Sequence, residues 1–261
     1  MRISIQDQSR FSLNCGSADK GLANIRISAP TSGGGGGSSD PAEDFVETTG
    51  PSTCGSFVLA GNANSYAAFS PNAALDFGTG PFTIEWWQYQ TDNNSWPRVF
   101  ARGTYGSTTL GLSIEGGSAY FWDNGANFLT SIYNYKNTWL HFAITRSINN
   151  KLRFFIGGQL AATIENYTHD FTTSPDNFMI GVEGIPSNGS SFGGRITNFH
   201  IMKGAARYIA AFTPSASPLK MTNKSVMMLY AEASNDLLQD DVGILAGMGL
   251  NLTWSASNPF A

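Results

Sequence analysis

The sequence is poor in charged residues and has no long apolar runs. Only 13% of its 261 residues are charged, and the net charge of −4 reflects no excess of lysine and arginine. Proteins that neutralise phosphates need such an excess, so we expect neither a nucleic-acid partner nor a membrane surface as partner. No segment predicts a membrane span, and residues 1–10 lack the apolar centre of a secretory signal. We therefore expect synthesis in a cytoplasm.

Cysteine and histidine are also scarce. Cys15 and Cys54 could form a disulfide, but two cysteines in a reducing compartment more often stay thiols. The three histidines, His141, His169 and His200, lie far apart, with no Cys or His at ligand spacing. The sequence therefore predicts no zinc site, and the histidines within strands are expected to be structural and hydrogen-bonded.

Aromatic residues and glycine are abundant instead. The chain has 18 Phe, 9 Tyr and 6 Trp to fill a core, and 29 glycines that suit short strands joined by tight turns. Apolar and polar residues alternate in Phe82–Tyr89 and in Thr138–Arg146, which predicts strands with one buried face. Similar segments recur every eight to twelve residues or so from Phe57 onward, a spacing typical of a sandwich. We predict an all-β, antiparallel β-sandwich.

Turn dipeptides define the predicted hairpins. Gly116-Gly117, Asn149-Asn150 and Gly157-Gly158 suit two-residue turns with positive φ, and the last two predict a three-stranded meander from Thr138 to Glu165. Within this meander, alternation places Trp139 and Phe154 among the core residues. Residues 204–208 are predicted to form a single helical turn.

The chain is predicted to divide near residue 55. Residues 1–55 have little periodicity and include five consecutive glycines at 33–37, which give the backbone great freedom. They predict an extended N-terminal arm, either a disordered tail or a segment that becomes ordered on a neighbouring subunit. Residues 56–261 are predicted to form the sandwich and to fold without the first 50 residues. Trp254 and Phe260 would anchor the C-terminal segment on its edge.

Together with Gly194–Met202 and Ala206–Pro214, the two alternating segments resemble the laminin-G-like jelly rolls of the concanavalin A-like lectin/glucanase superfamily. The resemblance covers roughly residues 56–232 and implies a concanavalin A-like jelly roll. Glucanases of this superfamily carry carboxylates spaced Glu-X-Asp-X-X-Glu on one strand. Glu85 has no acidic residue two or five positions away, and glycines follow Glu115. We therefore expect no catalytic residues and no enzyme.

One short segment has the letters of a serine-hydrolase motif. Gly189-Ser-Ser-Phe-Gly193 matches Gly-X-Ser-X-Gly. A nucleophile elbow needs a strand before it and a helix after it, whereas this segment follows a loop and leads into a predicted strand. We interpret it as a loop.

Binding is the remaining class of function. In lectin-like sandwiches, aromatic rings stack on the apolar face of a sugar, and Asp or Asn side chains bind its hydroxyls. The resemblance implies ligand-binding candidates in two loops, Asp92, Asn93 and Trp96 in the first and Trp122, Asp123 and Asn124 in the second. Further candidates are Asn127, Asp170, Asp176 and Asn188. Core packing for the aromatics and turn formation for the acids stay open as alternatives. Some relatives bind calcium, so calcium is the cofactor that the resemblance allows.

A second resemblance concerns the C-terminal third. The pattern Arg195-Ile-Thr, Met202-Lys-Gly-Ala-Ala-Arg-Tyr208, Phe212-Thr-Pro214 and Asn258-Pro-Phe260 is similar to a variant met in virion proteins of tailed phages and other large viruses. Ile209-Ala-Ala replaces a more polar stretch, and Ser215 stands where a second proline is usual.

This resemblance implies a non-enzymatic virion surface protein, for capsid decoration or in an attachment fibre. Its N-terminal arm would contact other virion proteins, and its sandwich would bind cell-surface glycans of the host. We expect a homo-oligomer or many copies on one particle. The alternative is a carbohydrate-binding adhesin or accessory module outside a virion.

Overall fold

The computed structural model is a sandwich of two antiparallel β-sheets, which confirms the predicted fold class. It describes residues 40–260 apart from 41–42, 49, 92–93, 105–109, 124–125, 132–134, 172–173 and 236, and only the backbone of 115 and 126–131. The N-terminal arm up to residue 39 and Cys15 lie outside the described residues, so the domain boundary at residue 55 stays a prediction. No helix in the described ranges is long and apolar enough to cross a membrane.

The strands are short, as the spacing of turn residues predicts. In chain order they are β1 (Ser56–Ala60), β2 (Tyr66–Phe69), β3 (Phe82–Gln90), β4 (Arg98–Arg102), β5 (Leu110–Glu115), β6 (Ser118–Asp123), β7 (Ala126–Ser131), β8 (Trp139–Arg146), β9 (Leu152–Ile156), β10 (Gln159–Ile164), β11 (Phe178–Ile180), β12 (Gly193–Lys203), β13 (Ser225–Leu229), β14 (Gly247–Leu250) and β15 (Thr253–Ser255). Two single 3₁₀ turns, Ala73–Leu75 and Asn188–Ser190, lie in loops.

The strands form an eight-stranded and a seven-stranded sheet. The first has the order β10-β9-β8-β3-β12-β1-β15, with β13 also paired to β12, and the second has the order β14-β2-β11-β4-β5-β6-β7. The predicted meander is β8, β9 and β10, and the C-terminal segment supplies the edge strands β14 and β15, as predicted. Both glycines of Gly116-Gly117 and of Gly157-Gly158 have positive φ, which the two hairpins require.

Aromatic side chains fill the core between the sheets. Alternation in β3 directs Ile84 and Trp86 inward, and the Trp86 ring stacks on Phe142 at 5.5 Å between ring centroids. Phe154 is fully buried in this core, as predicted.

Trp139 is not a core residue, so that prediction is wrong. It pairs with Tyr89 on the outer face of the eight-stranded sheet and is half-buried. In β8 the inward positions are those of Phe142 and Ile144, and Trp139 has the opposite parity.

The predicted helical turn at 204–208 is absent from the structure. The backbone there bonds to side chains of other segments instead. Ala206 N donates to Glu43 Oε2, Arg207 N donates to Thr83 Oγ1, and Tyr208 O accepts from Thr145 Oγ1. These tertiary bonds replace the local bonds that a helical turn would make.

Two segments cover much of the outer face of the eight-stranded sheet. The first, which we name the strap, comprises residues 40 and 43–48. The second, which we name the cover, comprises residues 205–219. Asp40 of the strap is buried and accepts hydrogen bonds from Arg153, Ser147 and Asn149. Glu47 pairs with Arg207 of the cover at 2.5 Å between Oε1 and Nη2.

Candidate functional site

A shallow depression of about 570 Å³ opens on the outer face of the seven-stranded sheet. Its floor consists of Tyr66, Ala68 and Met179, and Met248 and Leu250 of the edge strand β14 form one side. Met248 is 68% exposed and Leu250 is 40% exposed. The size falls in the range of small-molecule sites, which are commonly ~300–1,000 Å³.

Strand register explains why this surface forms. On the outer face, Met248 of β14 pairs with Ala68, which pairs with Met179, which pairs with Ala101. The next pairs in the same row are Ala101 with Gly111 and Gly111 with Trp122. These paired residues form one row across the sheet. Because Ala68, Ala101 and Gly111 have small side chains or none, the larger side chains and loops around them project further from the sheet and enclose a depression.

Two loops complete the depression. Pro175, Asp176 and Asn177 precede β11, and Gly184 and Pro186 follow it. Asp176 Oδ2 accepts from Ser174 Oγ at 3.0 Å, and its backbone N donates to the same hydroxyl at 3.1 Å. This turn holds the Asp176 carboxylate beside the exposed Asn177. The depression therefore combines an aromatic ring, thioethers, a carboxylate and an amide.

The described strands of the seven-stranded sheet carry two cationic residues, and both are held in ion pairs. Arg102 is buried and pairs with Asp76 at 2.7 Å between Nη2 and Oδ1. Arg98 lies 4.8 Å from the Trp122 ring centroid and 3.6 Å, Nη2 to Oε1, from Glu183. Neither guanidinium is available to a ligand in the depression.

Trp96 is the predicted site residue that the structure places most openly. It lies in the β3–β4 loop, is 46% exposed, and contacts Tyr120 edge-on at 5.5 Å between ring centroids. Its backbone N donates to Gly189 O. Trp96 can therefore present a ring face at one end of the sandwich, next to the loop that follows β11.

Trp122 and Asp123 are buried. The Trp122 ring lies across Gly111, where an added Cβ would come within 2.3 Å of it. Asp123 accepts a hydrogen bond from Tyr167 and lies near His169, at the opposite end of β6 from Tyr120 and Trp96. The structure therefore does not bring Trp96 and Asp123 together, and a ligand role for Trp122 or Asp123 stays a prediction.

The other predicted residues are scattered. Asp92, Asn93 and Asn124, and the side chain of Asn127, lie outside the described residues. Asn188 Oδ1 accepts from Ala63 N, which is a turn-forming role, and Asp170 is exposed. Of the predicted residues that the structure describes, only Asp176 lines the depression.

A second polar cluster lies on the outer face of the other sheet, beneath the cover. Glu85 Oε1 is 2.9 Å from His200 Nδ1, and Glu85 Oε2 is 3.2 Å from His141 Nε2 and 2.8 Å from the Tyr208 hydroxyl. Because an ionised carboxylate only accepts, these nitrogens and the hydroxyl donate. His200 Nε2 then accepts from Ser225 Oγ at 2.7 Å.

Burial and charge set the protonation states of this cluster. Burial alone would raise the pKa of Glu85, but the charge of Arg207 and the hydrogen bonds from His141 and His200 hold it well below its usual range. Burial lowers the pKa of His200, against the opposing effect of Glu85. The cluster is therefore an ionised carboxylate held by Arg207 and by a neutral His200.

Ser225, His200 and Glu85 have the bonding order of a hydrolase triad. However, Ser225 is 9% exposed, and its Oγ already accepts from Thr222 N at 2.7 Å. This arrangement fastens the start of β13 to the sheet. Across the described residues, no group of three or more His, Cys, Asp or Glu side chains could hold a metal ion.

Tyr66, Met179 and Met248 were not predicted as site residues. The alternation in Tyr66-Ala-Ala-Phe69 shows which residues share a face, but it cannot show that β14 returns from residue 247 to border that face. Asp240 fixes this return by accepting from the backbone N of Met228, Ile244 and Leu245.

Comparisons with known proteins agree with this architecture. A family model described as the concanavalin A-like lectin/glucanases superfamily matches residues 61–207. A crystal structure from Bacteroides ovatus, provisionally described as a carbohydrate-binding protein, is similar with a TM-score of 0.60 and 16% identity, over 81% of this chain and 62% of that one. This chain thus spans less than two thirds of the length of that protein.

A heptameric SAP-like pentraxin from Limulus polyphemus is also similar, with a TM-score of 0.55 and 13% identity, over 82% of this chain and all of that one. At these identities, the likeness shows the fold alone. Curated protein sequences include no match to this chain.

Proposed function

We propose that this chain, which belongs to the concanavalin A-like lectin/glucanases superfamily, is a non-enzymatic carbohydrate-binding protein of a virion surface. The observation that carries the binding part is the depression floored by Tyr66, Ala68 and Met179. It opens on a sheet face that the strap and the cover leave free. The Bacteroides ovatus protein, provisionally described as carbohydrate-binding, has the same fold.

The side chains around the depression suit a sugar. The Tyr66 ring can pack against the apolar face of a pyranose, and the Asp176 carboxylate and the Asn177 amide can bind hydroxyls. Since both arginines of this sheet are paired, the ligand is expected to be neutral. Such open sites bind single sugars weakly, so many copies on one particle would act together.

The test of binding is a glycan array with protein displayed multivalently. Tyr66→Ala and Asp176→Asn should lose most of the wild-type signal, whereas Asp170→Asn, the matched change at an exposed aspartate outside the depression, should keep it. Trp96→Ala tests the loop site separately. Wild-type protein that binds no glycan above background would contradict the proposal, and loss of binding in Trp96→Ala alone would move the site to the β3–β4 loop.

The virion part rests on the resemblance of the segments between Arg195 and Phe260 to virion proteins. We propose that the sandwich faces outward, in capsid decoration or in an attachment fibre, in multiple copies, with the N-terminal arm towards other virion proteins. Co-purification with intact particles at a fixed copy ratio tests this part. A protein that is absent from washed particles but still binds glycans would be an adhesin or accessory module instead.

A further inference from the structure

A row of aromatic and cationic side chains at one end of the eight-stranded sheet is not covered by any segment that the structure describes. Trp139 of β8 pairs with Tyr89 of β3, and Tyr89 pairs with Arg195 of β12. All three side chains are half-buried on the outer face. The preceding row is covered, because Phe260 contacts Trp87 and Phe212 contacts His141. We name Trp139, Tyr89 and Arg195 the Arg195 row.

The three side chains touch one another. The Trp139 and Tyr89 rings meet edge-on at 5.7 Å between centroids, and the Arg195 guanidinium carbon lies 5.2 Å from the Tyr89 centroid. Val58 of β1 extends the row beyond Arg195. Since neighbouring strands lie ~4.8 Å apart, the row is long enough for a saccharide rather than a single ion.

Arg195 differs from every other arginine between residues 40 and 260. The others are all anchored, Arg98 to Glu183, Arg102 to Asp76, Arg146 to the carbonyls of Gly78, Gly80 and His169, Arg153 to Asp40, and Arg207 to Glu47 and Glu85. Within the described residues, the Arg195 side chain has no carboxylate partner and no hydrogen bond, and its buried Nε is unsatisfied, as are the Nε atoms of Arg98 and Arg102. A partly desolvated guanidinium without an acceptor is costly, which indicates a missing anionic partner.

We propose that the Arg195 row binds a carboxylate-bearing sugar, such as a sialic acid or a uronic acid residue. The planar guanidinium can hold a carboxylate through two parallel N–H···O bonds. The Tyr89 and Trp139 rings beside it offer apolar surface to the sugar ring, which a free anion would not use. This site is separate from the depression and differs from it in the charge of its ligand.

The experiment is a ligand titration followed by NMR on full-length protein. The probes are 3′-sialyllactose and digalacturonate as acidic sugars, lactose as a neutral sugar, and sulfate as an anion without a sugar. We expect at least one acidic sugar to shift the Trp139 indole resonance, more strongly than lactose or sulfate does. Binding should weaken with added salt, since an exposed charge pair is screened.

Variants separate the site from general effects. Arg195→Gln should weaken acidic-sugar binding about tenfold or more, Arg195→Lys should restore part of it, and Trp139→Ala should weaken it. Lys224→Gln makes the same charge change on this side of the sandwich and should bind as wild type does. Failure of both acidic sugars to bind would overturn the proposal, as would binding that survives Arg195→Gln or equal binding of sulfate. Tyr66→Ala should leave this binding intact, so the two sites can fail independently.

Discussion

The two outer faces of the sandwich are both built from alternating strands, but they differ in the charge and in the covering of their outward side chains. On the eight-stranded sheet, the strap and the cover bury the outward-pointing Glu85 and Arg153, whereas Arg195 at one end stays half-buried. On the seven-stranded sheet, the outward positions of the middle strands are small or apolar, and the face keeps an open depression. The buried charges of the eight-stranded sheet therefore fasten chain segments to it, whereas the neutral face of the other sheet stays open to a ligand.

Glu85 and Asp176 illustrate the contrast. Glu85 is fully buried and bonded to side chains from β8, β12 and the cover. Asp176 is partly exposed and lines the depression, and among the described residues its hydrogen bonds lie within its own turn. The same functional group is therefore structural on one face and available on the other.

The largest expected effect is at the centre of the covered face. Glu85→Ala should destabilise the protein by about 3–5 kcal/mol, because it leaves the buried His141 and His200 without their carboxylate acceptor and removes one of the two carboxylates paired with Arg207. Glu165→Ala, which removes an exposed carboxylate 3.5 Å from Lys151 Nζ, should cost about 0.5 kcal/mol or less. Urea denaturation of both variants measures the difference. Equal losses would mean that the covered cluster has no special structural role.

The next prediction compares the loss of stability caused by a substitution in the core with that caused by one on the outer face. Phe154→Ala should cost about 3–5 kcal/mol, since the ring is fully buried. Trp139→Ala should cost less than half as much, because Trp139 is half-buried on the outer face and its removal leaves no internal cavity. The same denaturation assay compares them. A loss for Trp139→Ala as large as that for Phe154→Ala would place Trp139 in the core after all.

The strap provides a third test. A chain that begins at residue 40 keeps Asp40, Glu43 and Glu47, and a chain that begins at residue 49 lacks them. We expect both to fold, but the shorter chain should be less stable by about 2–4 kcal/mol because Arg153 and Arg207 lose their strap carboxylates. Thermal unfolding followed by circular dichroism measures this difference. Equal melting temperatures would show that the strap is dispensable for the fold.

The smallest effect is a pH dependence. The pKa of His200 in the folded protein is below the ordinary value of 6.5. Just below pH 6.5, the unfolded chain therefore binds a proton at His200, whereas the folded chain does not. Stability should therefore fall as the pH drops below 6.5, by at most about 1.4 kcal/mol per pH unit for this one proton. The lowered pKa of Glu85 adds a second decline below pH 4.5.

His200→Gln is the control for this pH dependence. The variant should be less stable at pH 7 but should show a flatter slope between pH 6.5 and 5, measured by urea denaturation at each pH. An unchanged slope would mean that the proton is taken up elsewhere.

Local pattern predicts most of this fold. Alternation identifies β3, β8 and β12, and glycine or asparagine pairs identify the hairpins, because these signals arise between neighbours in sequence. It does not predict the bulge in β12, where Asn198 adopts a φ of +51° and pairing shifts between Thr197 and His200. That bulge directs His200 towards Glu85. It depends on Asn198 bonding to Leu219 N and Cys54 Sγ, partners distant in sequence.

The candidate site is predicted less well for the same reason. Trp96 in its polar loop is correctly expected at the surface, and Asp176 is among the residues named from the sequence. Tyr66 and Met248 meet only because β14 pairs with β2, a contact between residues about 180 positions apart. The sequence predicts the wrong face for Trp139 because β8 is apolar at positions that point to both faces of the sheet.

Carbohydrate binding by the open face of the seven-stranded sheet can be mapped residue by residue. Chemical-shift mapping with the neutral glycan that gives the strongest array signal tests it most directly. We expect shifts at Tyr66, Met179, Asn177 and Met248, with none at Glu85, His141 or His200. Shifts confined to the β3–β4 loop, or no saturable shift at any residue, would contradict it.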